Sequence, residues 1–281
     1  MAKLDRLGWA ADLSFEAFGV TIGIRTNDRD LLKALLPYLP SPRKPLSRPV
    51  VDKLYSMIGG GSSVQRNIRR FHLLYGNVQM LARSAELSDV LDLLRSDINF
   101  YVAENAAGRL FVHAGAVGWK GRAIVIPGAS LSGKTTLVQE FLRAGATYYS
   151  DEFAVLDGQG FLHPFAAALS VRKENSDRQE MRPPAEFSDA IGARRLPIGC
   201  VLATTYRPGA RWRFKPVTKG EGVFALLANT MAARKDPFTT LSTLSSAVAR
   251  ADIFKSERGE ANDMVDEVLK YLAQQPFGGT N

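Results

Sequence analysis

A short apolar run, Ile124-Val-Ile-Pro127, leads directly into Gly128-Ala-Ser-Leu-Ser-Gly133-Lys134-Thr135-Thr136, and a helical pattern follows. Strand, then G-x-x-x-x-G-K-T, then helix confines the chain to an α/β arrangement with an anion-binding turn between strand and helix. In such a turn the amides of Gly128, Ala129, Ser130, Leu131, Ser132 and Gly133 point inward and cradle phosphates. The helix beginning near Lys134 adds its positive end. Lys134 supplies a point charge, and the hydroxyls of Thr135 and Thr136 lie beside it, Thr135 placed to ligate Mg²⁺. The plainer alternative is a glycine-rich βα turn with no ligand. The context favours the first reading: Leu137, Val138, Phe141 and Leu142 share one helical face, and Gly145 ends the helix as a C′ residue.

Carboxylates follow soon after. Ala146-Thr-Tyr-Tyr149 reads as a strand that delivers Asp151-Glu152 at its carboxyl end, the edge where open α/β sheets bind ligands. Lys134 and Asp151 therefore belong to one βαβ unit. The competing reading makes Asp151 a cap of the next turn and Glu152 a solvated acid.

Across the forty residues from His113 to Glu152 the chain resembles the catalytic domain of HPr kinase/phosphorylase, whose nucleotide fold is akin to that of phosphoenolpyruvate carboxykinase. That family carries His-Gly fifteen residues before its loop, then G-x-S-G-x-G-K-S, a helix, a glycine, and a strand ending in Asp-Asp. Here His113-Ala114, Gly128 to Thr135, Gly145 and Ser150-Asp151-Glu152 stand in the same register. Leu169-Ser-Val-Arg172 is similar to a later family strand, Leu-Glu-Ile-Arg, at a different spacing. The resemblance implies an α/β fold with a mixed sheet and a P-loop kinase core, using ATP and Mg²⁺. It implies that Lys134 and the loop amides hold the transferring phosphate, that Thr135 and Glu152 hold Mg²⁺, and that Asp151 takes the acceptor's proton with His113 orienting it. Arg172 becomes a clamp for the phosphate through its planar fork. For His113 a packed strand-end histidine remains open, and for Arg172 a surface arginine.

Leu131, Thr135, Glu152 and Ser170 depart from the family pattern, the last standing where a metal-binding glutamate is found. The metal site is accordingly leaner, with Glu174 a sequence neighbour to consider. The carboxy-terminal pattern for phosphorolysis is missing. The resemblance is therefore to the divergent HPr-kinase-like proteins of bacterial peptide-modification systems, and the expected reaction is phosphoryl transfer to a serine or threonine hydroxyl of a peptide or small protein. A catalytically weak nucleotide-binding scaffold and a small-molecule kinase are the alternatives. The acceptor itself is not legible.

With 281 residues, 46% of them hydrophobic and 23% charged, the chain has ordinary globular composition. Cys200, the single cysteine, sits in an apolar run and reads as buried core. The N-terminus lacks the apolar segment of a signal peptide, and no apolar stretch approaches the length of a membrane span, so the expectation is a cytoplasmic protein without membrane contact. A net charge of +8 favours acidic partners, but the basic stretches Arg43–Arg48 and Arg66–Arg70 lack aromatic interleaving, and nucleic acid is not the expected partner. Pro37 to Pro49 reads as a solvated connection, and homo-oligomerisation is left open.

Two parts are expected. Residues 1–105 form a small α+β unit for substrate recognition or docking: two strands in Leu13–Ile24, a helix from Asp28 to Leu36, a flexible Gly59–Ser63 hairpin tip or hinge, and a helix from Leu87 to Val102 that docks this unit on the second part. Residues 106–281 form the nucleotide-binding domain. Its strands are Arg109–Gly118 and Arg122–Ile126, then Pro197–Tyr206 paired with Arg211–Val217 through Pro208-Gly209, and its last helices are Gly222–Asn229 and Asn262–Gln274.

Overall fold

The computed structural model describes residues 4–47, 50–60, 70–129, 132–172 and 179–274, Arg172 and Gln179 by backbone alone. It divides between Ala107 and Gly108 into two compact units, two residues past the expected Asn105.

The N-terminal unit contains β1 (Ala11–Ala17), β2 (Val20–Thr26), α1 (Arg29–Leu35), β3 (Lys44–Pro45), β4 (Lys53–Ile58), β5 (His72–Gly76), β6 (Gln79–Ser84) and α2 (Leu87–Asn105). Its strands form one sheet in the order β3-β1-β2-β4-β5-β6. Asp28 caps α1 by accepting the Asp30 N–H, and the chain tightens into a 3₁₀ turn at Leu36–Tyr38, where Pro37 cannot continue an α-helix. α2 buries Val90, Leu91, Leu94, Ile98 and Val102 at helical spacing. That face packs on this unit's own sheet, which corrects the expectation that α2 docks onto the second unit. Asp97 shows why: it accepts from Lys53 Nζ and the Tyr55 hydroxyl, both at 2.6 Å, and so ties α2 to β4. Gly61 to Ser63 and most of the Arg66–Arg70 run lie outside the described residues, as does Glu174.

The C-terminal unit contains β7 (Leu110–Trp119), β8 (Arg122–Pro127), α3 (Lys134–Arg143), β9 (Thr147–Ser150), β10 (Phe153–Leu156), β11 (Leu162–His163), β12 (Leu169–Arg172), β13 (Gln179–Arg182), β14 (Ile198–Tyr206), α4 (Lys219–Leu227), α5 (Pro237–Val248), β15 (Asp252–Arg258) and α6 (Ala261–Gln274). The main sheet runs β11-β10-β7-β8-β14-β15 with β9 also on β7, while β12 and β13 pair apart. β8, β14 and β15 are parallel, and β7 is antiparallel to β8. The sheet is mixed, and the fold is α/β.

Period-2 alternation splits the core between its faces. Ile124, Ile126, Cys200 and Leu202 meet α3 and α6, whereas Ala123, Val125 and Val201 meet α4 and α5. Cys200 is a free, buried thiol whose pKa burial pushes up, as core packing requires. Both edges of β14 are occupied by β8 and β15, so the expected hairpin from Pro197–Tyr206 to Arg211–Val217 does not form. The latter segment pairs with the sheet's backbone at the Pro216–Phe254 bridge. Trp212 is buried there, and the ring centroid of Phe214 lies 5.2 Å from that of Phe254, edge to face, and 5.0 Å from that of Tyr271. Side-chain burial decided that segment where strand propensity did not.

Candidate active site

The Gly128–Thr135 loop leaves the sheet at the end of β8 and enters α3. A Cβ on Gly128 would lie 2.7 Å from Ser132 Oγ and 3.3 Å from Ser132 Cβ, so the loop curls tightly and a side chain there would have to displace Ser132. Gly133, with φ +82°, is the left-handed residue from which α3 starts. Ser130 and Leu131 lie outside the described residues. Lys134 is 7% exposed, and its Nζ donates to the Ala129 carbonyl at 2.7 Å. Burial lowers its pKa, while the charges of Asp151 and Glu152 act to raise it. The ammonium has three donors, so the Ala129 bond leaves two for an anion.

Asp151 and Glu152 occupy the turn between β9 and β10, against β7. The Glu152 carbonyl accepts the Ala114 N–H at 3.2 Å, and Ala114 also stands opposite Pro127 of β8. Loop and carboxylates thus flank β7 at one level. Asp151 is 7% exposed. Its Oδ2 accepts the Thr135 hydroxyl at 3.0 Å and the Ser170 N–H at 3.3 Å, while Oδ1 is buried without a hydrogen-bond partner among the described residues. Burial raises its pKa to about 6, against hydrogen bonds from Thr135 and Ser170 and the charge of Lys134, which lower it. An acid so placed accepts a proton near neutral pH.

Three sequence candidates therefore meet: Lys134, Thr135 and Asp151. Glu152 is near enough for its charge to act on both Lys134 and Asp151. β12 adjoins them through the Ser170 amide, but the Arg172 side chain is outside the described atoms. His113 is a partial match. It lies opposite Phe153, with its ring centroid 5.8 Å from that ring, and no hydrogen bond joins it to Asp151 among the described residues. Burial, aided by Lys134, lowers its pKa to about 4, which leaves the ring neutral at pH 7.

Arg258, at the end of β15, escaped the sequence reading. It is 2% exposed, donates from Nη2 to the Gly133 carbonyl at 3.1 Å and from Nη1 to the Gly259 carbonyl at 3.0 Å, and its Nε has no hydrogen-bond partner among the described residues. It braces the left-handed residue of the loop, and burial lowers its pKa. The contact spans 125 positions in sequence, so no local pattern announces it.

Among the described residues no group of three or more His, Cys, Asp or Glu side chains is placed to hold a metal. Mg²⁺ does not require one, since it commonly binds through one or two protein groups, waters and substrate phosphates. The orphaned Asp151 Oδ1, the Thr135 hydroxyl and the Glu152 carboxylate are hard oxygen donors suited to it. Among the described residues, no helix is long and apolar enough to cross a membrane.

No protein-family model matches the chain, and no curated protein matches it. Among solved structures, the Hpr(Ser) kinase/phosphatase from Coxiella burnetii is similar over 60% of this chain and 99% of that one, at 12% identity and a TM-score of 0.32. Agreement that low carries no argument, and the site rests on its own geometry.

Proposed function

We propose that the chain is an ATP-dependent phosphotransferase that moves the γ-phosphoryl group to a serine or threonine hydroxyl of a peptide or small protein. The observation that carries this reading is the buried, half-satisfied carboxylate of Asp151, bonded to Thr135 in the first turn of the helix that follows the loop. The hydroxyl oxygen forms the new bond to phosphorus, the bond to the bridging β–γ oxygen breaks, ADP leaves, and the hydroxyl proton passes to Asp151. The transition state is loose, so the protein's main tasks are alignment and charge neutralisation. Loop amides and Lys134 hold the phosphates. Thr135 and Glu152 hold Mg²⁺, which when bound supplies further charge neutralisation. Arg258 fixes Gly133 so that the loop is preorganised. The N-terminal unit, in this reading, recognises the acceptor.

A nucleotide-binding scaffold without transfer is the second reading. It is favoured by Ser170, since β12 meets Asp151 with a peptide N–H where the resembled family brings a carboxylate. Thermal melts with ATP and Mg²⁺ test the shared part. Wild type is expected to gain stability as ligand binds the native state, and Lys134→Ala to lose most of that gain. Equal shifts in both proteins would remove the phosphate site. Radiolabelled transfer from ATP to a serine- and threonine-containing peptide library separates the readings: transfer that falls about a hundredfold in Asp151→Asn, with nucleotide affinity kept within severalfold, marks the enzyme.

A further inference from the structure

The carboxyl ends of β8, β14 and β15 open into a cleft of about 840 Å³. Its floor runs from Pro127, the residue before the loop, across Ala203 and Thr205 of β14 to Ser256 of β15, and its wall is α4. A volume of this size suits a small ligand. On that wall stands Phe224, 69% exposed, an aromatic ring that the core does not use. Lys215 and Lys255 also line the cleft, together with Glu221 and Glu257.

Strand order fixes what this cleft faces. Asp151 lies on the edge of β7 away from β8, whereas the cleft lies on the β8 side of β7, over β14 and β15 on the sheet face that α4 covers, and at its near end Asn229, which lines it, accepts the His113 N–H of β7. In-line displacement sets the entering and leaving oxygens on opposite faces of the transferring phosphorus. If Asp151 receives the acceptor's proton, the acceptor enters on the β7 side. The remainder of the nucleotide then extends toward β14 and β15.

We infer that this cleft holds the nucleoside of the nucleotide, with its base stacked on the exposed ring of Phe224, and that the acceptor approaches from the opposite, Asp151 side. The inference rests on the proposed phosphate role of the Gly128–Thr135 loop. A π-face at the wall recognises any base, so a nucleoside triphosphate is the ligand class. Because the ring is exposed, removing it leaves the core packing of α4 in place.

Calorimetric titration of wild type and Phe224→Ala with Mg·ATP and with inorganic triphosphate tests it. Wild type is expected to bind both. Phe224→Ala is expected to bind ATP about tenfold or more weakly and triphosphate unchanged, since only the base loses its contact. Phe224→Trp is expected to restore affinity, and its added fluorescence is expected to quench with ATP and not with triphosphate. Unchanged ATP affinity in Phe224→Ala, or no selective quenching in Phe224→Trp, overturns the cleft assignment while triphosphate binding keeps the phosphate site intact; a peptide-binding cleft would give this result. Failure of wild type to bind either probe overturns the phosphate site and the cleft assignment together.

Discussion

Asp151 lets the fold report on its site without any ligand. Burial holds the carboxyl near 6, above the ordinary 3.8. An acid raised in this way binds protons more tightly folded than unfolded, so its ionisation costs stability. The cost is absent below about pH 4, grows as the pH climbs toward 6, and is complete above it. At about 1.4 kcal/mol for each tenfold step in proton affinity, the rise is worth about 3 kcal/mol. Asp151→Asn removes the charge at constant size and keeps an oxygen to accept from the Thr135 hydroxyl or the Ser170 N–H. Urea unfolding of both proteins at pH 5 and pH 8 cancels the titration of every other group when mutant and wild type are subtracted. About half of the cost is already present at pH 5, so the mutant is expected to gain about 1.4 kcal/mol on wild type between those pH values. The same substitution is expected to abolish most phosphoryl transfer, so a more stable protein would be the less active one. A difference that is flat with pH, or a mutant that weakens relative to wild type at pH 8, refutes the desolvated-carboxylate reasoning.

Three further outcomes are expected. Gly133→Ala forces a side chain into left-handed backbone and toward Arg258, and is expected to cost about 2 kcal/mol in urea unfolding and to shrink the ATP-induced melting shift. Asp157 must overcome burial, which acts to raise its pKa, yet hydrogen bonds from His163, the Phe161 amide, Arg195 and the Gln159 amide lower it to about 2. Its contribution is present above about pH 4 and lost as the pH falls toward 2, so Asp157→Ala is expected to destabilise by about 1–2 kcal/mol at pH 7 and to flatten acid denaturation in that window, after discounting for the half-exposed Arg195. Because α2 covers the sheet of its own unit, a 1–107 fragment is expected to melt cooperatively by circular dichroism, and a non-cooperative melt would reassign that helix.

Local chemistry was the legible part of the sequence. The strand–loop–helix–strand run from Arg122 to Ser150 carries its own apolar periodicity, and Asp28 and Gly145 announce helix ends one residue at a time. β15 was not legible, because Ile253 and Phe254 lead straight into Lys-Ser-Glu-Arg, a polar half that reads as loop until a parallel neighbour is known. α5 was hidden by its serines and threonines, which rank low as helix formers, although Asp236 and Pro237 stand as an N-cap and N1 pair. β4, β5 and β6 depend on cross-strand partners beyond the reach of any local window. At the site, Lys134, Thr135 and Asp151 were readable because seventeen residues separate the ends of that set, whereas Arg258 reaches Gly133 from the far side of the sheet.

Ala114 touches neither a proposed ligand nor a charge, yet its backbone sits between Pro127 on one side and Glu152 on the other. Two interstrand steps, about 10 Å in all, therefore separate the start of the loop from the acidic turn. Hydrogen-bond spacing is insensitive to side-chain identity, so substitutions along Leu110–Trp119 leave that gauge unchanged as long as the ladder survives. Inserting one residue between the β8-paired and β10-paired halves of β7 does not: it slides one jaw of the site past the other by about 3.3 Å and turns the following side chains to the opposite face. The length of β7 is for this reason a stricter constraint on the chemistry than the composition of its buried positions.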